Sequence, residues 1–79
     1  MDYHYDKLDD SSIISLVQSH IERFNQAWLV VMNNHYRSGI YISAEVEMNN
    51  QYSIIGRLER YIYSSRPSAV YDSFKVLNT

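Results

Sequence analysis

Three histidines, nine carboxylates and eight tyrosines are the side chains of this 79-residue chain with the most chemistry to offer. Their spacing decides how much of that chemistry is available. His4, His20 and His35 share no i, i+4 pair, the spacing at which one helix presents two imidazoles to a metal. His20 sits at the margin of an apolar helical stripe, where a packed histidine is the ordinary reading. His4 with Asp6 and Asp9 makes at most a weak, solvated metal site, so no metal and no cofactor is expected. Nucleophilic catalysis needs a base oriented beside a hydroxyl, and no GxSxG turn, phosphate loop or paired-carboxylate motif supports it. The expectation is a protein that is not an enzyme.

Tyrosine carries a different chemistry. The eight rings, at positions 3, 5, 36, 41, 52, 61, 63 and 71, combine apolar area with a polar tip and lose little entropy when held, which suits a contact surface. Arginine is the other residue type from which interfaces draw large energies. The residues expected to contact a partner are therefore Tyr36, Arg37, Tyr41, Arg57, Arg60 and Tyr63. The alternative use of the same residue types is RNA or DNA, with Arg57, Arg60 and Arg66 on phosphates and Tyr61 and Tyr63 stacking bases. Residues 36–79 carry +1 and residues 1–35 carry −3, and a pI near 5.8 is far from the basic footprint of a nucleic-acid binder. A protein partner is the favoured reading, in a small regulator, adaptor or inhibitor. The acidic start would speed association with a basic partner.

The elements that must position these residues follow from apolar spacing. Residues 1–10 hold four aspartates and no apolar period, and are read as a mobile acidic lead-in to a single globular domain over 11–79. Asp10, Ser11 and Ser12 offer N-cap oxygens. Ile13, Val17, Ile21, Phe24 and Trp28 then recur at spacings of four and three, which predicts a helix over about 12–26. The unbroken apolar run 27–32 reads as a buried strand, and Ile40, Ile42, Ala44, Val46 and Met48 alternate with polar neighbours as a second strand would. These make a β-hairpin of 27–33 and 39–48. Ile54, Ile55, Leu58, Tyr61 and Ile62 predict a further helix, with a third strand over 52–63 as the alternative. Pro67 ends that element, and Ala69 to Leu77 form a short last helix.

The expected fold class is thus α+β: helix, β-hairpin, helix and short C-terminal helix in one small domain. A competing arrangement is an all-α helical hairpin over 12–34 and 40–64, seamed by Tyr41, Ala44, Met48, Ile55, Leu58 and Ile62. A two-stranded sheet is marginal alone, so its edges would pair with a second copy, and a homodimer is expected. A domain of this size has a thin stability margin, and with no cysteine no disulfide can widen it. The Cys-free composition fits a reducing, cytoplasmic setting. The start of the chain lacks a basic stretch followed by an apolar run, so no secretory signal is expected. The longest apolar run, six residues, is far short of the roughly 20 that span a bilayer.

Overall fold

Local capping decides where the helices begin. The Asp9 carboxylate accepts the Ser12 backbone N–H at 2.8 Å and the Ser11 hydroxyl at 3.2 Å, which satisfies one of the orphan donors at a helix start. That backbone N–H is the main reason the Asp9 carboxyl is held below its usual pKa. The Ser38 hydroxyl accepts the Tyr41 N–H in the same way at 3.1 Å. The structure, a computed structural model, describes residues 3–78, with side chains from Tyr5 to Asn78. A 3-10 turn, Tyr3–Lys7, leads into α1 (Asp10–Met32), α2 (Gly39–Ser65) and α3 (Ser68–Leu77).

Among the described residues there is no strand, so the α+β reading and its β-hairpin of 27–33 and 39–48 are corrected to an all-α helical hairpin with a third helix. The first helix does not stop near residue 26 but continues through the apolar run to Met32. The alternation at 40–48 was misleading because two periods overlap there. Ala44 and Met48 belong to the helical seam Tyr41, Ala44, Met48, Gln51, Ile55, Leu58 and Ile62, spaced three and four apart, and also to the period of two. In the helix, Ile40, Ile42 and Val46 fall off the seam and stay 61%, 47% and 54% exposed. Asn49 and Asn50 do lie in mid-helix, but both are exposed, so they cost only their modest propensity. Residues 52–63 are helical, and the third-strand alternative goes with the hairpin. With no sheet edge among the described residues, pairing of edge strands is not a route to a dimer.

The three helices meet at one end of the hairpin. Ile13 and Val17 of α1, Ile55, Leu58 and Ile62 of α2, and Val70 and Phe74 of α3 form the core. A fully buried side chain of this kind contributes about 2 kcal/mol, and five of the seven are at most 1% exposed. α3 lies along one side of the hairpin, where the Tyr71 hydroxyl donates to Glu59 at 3.2 Å and its ring meets Tyr63. The residues before α1 cover the other side. Tyr5 and Leu8 pack on the core there, and the Tyr5 ring lies 5.3 Å from that of Tyr61.

Arg66, in the break between α2 and α3, ties these pieces together. Its guanidinium donates to Asp10 at 2.7 Å, to the Tyr61 hydroxyl at 3.1 Å, and to the carbonyls of Tyr5 and Leu8 at 2.7 and 2.6 Å. The side chain is only 11% exposed. Such charge-assisted bonds are shorter and stronger than neutral ones, and the planar fork reaches four oxygens that an ammonium could not. Arg66→Ala should therefore cost about 2–3 kcal/mol in urea unfolding, and Arg66→Lys should recover only part of it; equal stability of all three chains would refute the role. Gly56 has the opposite character. A Cβ there would meet only the end of the Arg60 side chain, at 3.8 Å. Gly56→Ala should raise the unfolding free energy by about 1 kcal/mol, measured in the same way.

Candidate functional site

Since α3 has ten residues and α2 has 27, the third helix covers only the half of the hairpin that holds the core. Beyond its end at Leu77 the groove between α1 and α2 stays open. Phe24 and Tyr52 begin this stretch, with ring centroids 6.5 Å apart. On α1, Trp28 and Met32 follow Phe24 at successive turns, and on α2, Met48 and Tyr41 follow Tyr52 toward the loop, all on one face by their spacing. Tyr36 closes the end, its ring edge-on to Tyr41 at 5.3 Å. A cleft of about 1210 Å³ opens at the junction, where Phe24, Tyr52, Gly56 and Leu77 are among its lining residues. Trp28, Met32, Tyr36 and Tyr52 remain 46%, 62%, 68% and 72% exposed.

The cleft itself also has Arg23, Glu47, Arg57, Glu59 and Arg60 in its lining, whereas toward the loop the groove is poor in charge. Residues 27–46 hold only two charged side chains, Arg37 and Glu45, so the apolar surface there is not interrupted as an ordinary solvated surface would be. On the opposite side of the hairpin, a shallower hollow is floored by Ala27 and Ala44 and bordered by the 3.2 Å ion pair of Arg23 and Glu47. The small side chains bring the two helices close and leave little to bury.

The turn that joins the helices needs a left-handed residue, and Arg37 supplies it at φ 64°. That conformation costs a non-glycine residue roughly 1 kcal/mol. The Arg37 guanidinium lies over the Tyr36 ring, 5.3 Å from its centroid, a cation–π contact. Asn33 and Asn34 donate their side-chain amides to the carbonyls of Leu29 and Val30 at 2.8 and 2.7 Å, which satisfies the open end of α1.

Of the residues singled out from the sequence, Tyr36, Arg37 and Tyr41 do come together, at the loop end. Arg57 and Arg60 are exposed on α2 and are among the residues lining the cleft at the junction, with Phe24 and Tyr52. Tyr63 is 73% exposed at the core end, about 33 Å along the helix from Tyr41. The six do not form one patch. Trp28, Met32, Met48 and Tyr52, which line the open groove, were absent from that set. A strand reading buries Trp28, Met32 and Met48; the i, i+4 series Phe24, Trp28, Met32 was the signal that could have found two of them. Of the nucleic-acid set, Arg66 is turned into the fold and Tyr61 donates to Asp6 at 2.8 Å while accepting from Arg66.

One buried polar group holds the register of the hairpin beside this site. Gln51 is 2% exposed on the seam. Its carbonyl oxygen lies 2.5 Å from Nδ1 of His20, and its amide donates to Glu47 at 3.3 Å, which in turn accepts from Arg23. His20 is thus a half-buried packing residue with its Nδ1 as donor. Among the described residues no group of three His, Cys, Asp or Glu side chains could hold a metal ion. Among the described residues no helix is long and apolar enough to cross a membrane.

A satisfied buried pair and a broken one differ sharply in cost. Gln51→Leu alone should lose about 1–3 kcal/mol by stranding the His20 donor, whereas the double variant His20→Leu, Gln51→Leu should regain most of that. Urea titration of the three chains measures it, and a double variant no more stable than the single one would overturn the pairing. Compared with known protein families, curated proteins and solved structures, the chain matches none.

Proposed function

We propose that this chain is a non-catalytic protein-binding module, a small regulator, adaptor or inhibitor, whose contact surface is the open aromatic and methionine groove at the loop half of the helical hairpin. The observation that carries this reading is the exposure of Trp28, Met32, Tyr36 and Tyr52 along one face, in a stretch from Trp28 to Tyr52 with only three charges, Arg37, Glu45 and Glu47. The centres of protein interfaces are depleted in charge and enriched in Trp, Tyr and Met. Methionine adds side chains that adapt their shape to what they meet. Its compartment, on this reading, is the cytoplasm, since a Cys-free chain needs no oxidising environment.

Nucleic acid is the weaker use of this surface. Arg57 and Arg60 remain available for phosphates, but Arg66 and Tyr61 are committed to each other and to the segment before α1. A photoreactive side chain placed at position 28, with a second chain carrying it at position 57, separates the two readings inside cells. Protein adducts confined to position 28 are expected. Adducts of RNA or DNA at position 57, with salt-dependent binding abolished by Arg57→Ala and Arg60→Ala, would overturn the proposal.

A further inference from the structure

We infer that the occupant of the groove is a second copy of this chain, packed face to face and antiparallel about a twofold axis, so that the two loop halves together make a short four-helix bundle. The inference rests on the groove being a protein-contact surface and adds what covers it.

Area is the first argument. Aromatic side chains offer about 150–250 Å² each when free. At the exposures of Trp28, Tyr36 and Tyr52, with Met32, these four side chains present roughly 500 Å². The half-buried Phe24, Tyr41 and Met48 and the flanking Ile42 bring the face to about 800 Å², the share each partner gives to a stable interface of standard size. A lone helix in the groove would leave the outer flanks of the face open, whereas a second hairpin covers the face with another of equal width.

Shape selects the direction. α3 stands on this same face at the core end, and a helix is about 10 Å thick. Parallel copies would bring α3 against α3 and hold the loop halves apart. An antiparallel pair lets each loop end reach the other copy's α3 terminus at Leu77. Arg37 on that loop would then approach the negative end of the α3 dipole. The overlap is about 20 Å, the rise from Gly39 to Tyr52, which gives a particle roughly 65 Å long from two hairpins of 43 Å.

The charge pattern leads to the same arrangement and supplies its sharpest test. The face is nearly neutral, so one copy does not repel another, apart from Glu45. That residue stands within the face, in the series Tyr41, Glu45, Met48 and Tyr52 spaced four, three and four apart, and near the middle of the overlap, so the two Glu45 carboxylates approach each other across the axis.

Sedimentation equilibrium of the full chain at tens of micromolar should return a dimer mass. The single tryptophan, Trp28, should move its emission to shorter wavelength as concentration rises. Trp28→Glu, or Met32→Glu should the first variant fold poorly, should weaken the dimer by at least about 30-fold while circular dichroism stays helical. Glu45→Gln should tighten it several-fold, an effect that mere loss of structure cannot produce. A monomer mass for the parent chain, or a dimer that survives both glutamate substitutions, would overturn the inference. In that case protein adducts at position 28 would still uphold the binding role, so the two readings fail separately.

Discussion

The length of α3 is the constraint on which the rest of this molecule depends. Two helices in contact can bury only the stripe that each turns to the other, and a closed core needs a third element to cover the groove between them. Here that element is ten residues long and the hairpin it covers has arms of 23 and 27 residues. At the core end the chain completes its layers with α3 on one side and the turn before α1 on the other. At the loop end it completes neither, and the same kinds of side chain that make a core elsewhere are left facing water.

This division separates the packed core from the exposed apolar face along one axis. Ile13, Leu58, Ile62 and Phe74 are almost wholly buried and Arg66 fastens the segments around them, so the fold is anchored at one end. The His20 and Gln51 pair continues the seam toward the loop with a polar contact, which favours one register of α1 on α2 over slipped ones because any slip strands a buried amide. Past it the seam narrows to Ala27 and Ala44. Small seam residues let the helices approach closely and push the large side chains, Trp28 and Met32 among them, to the sides, where a partner can reach them.

Much of the architecture was legible in the residues. Asp10, Ser11 and Ser12 mark a helix start to within a turn, the cap itself being Asp9; Pro67 marks a break, and Leu58 with Ile62 marks an apolar helical face, because capping, proline geometry and a period near 3.6 are local properties. The middle of the chain was not legible for an equally physical reason. An apolar run such as 27–32 has no period, and the series Ile40 to Met48 satisfies a period of two while Tyr41, Ala44 and Met48 satisfy a helical one. Nothing local ranks the two. The site suffered the same ambiguity: a strand turns Trp28 and Met48 inward, a helix leaves Trp28 half exposed, so aromatic residues outside the assumed core were chosen in their place. Tyr36, Arg37 and Tyr41 fall together at the loop end because the polar stretch before Gly39 is a connection in either fold.

Composition and local pattern alone determined a chain without cysteine, its main helix start, its proline break and a tyrosine-rich, weakly acidic character. Tertiary structure decided that residues 27–48 are helical, that Arg66 serves the fold and not a surface, and that the exposed apolar face lies past the end of α3. Those outcomes depend on which segments cover which, and coverage is set by long-range packing between residues 13–17, 55–62 and 70–74, whose separation along the chain leaves no trace in any local period.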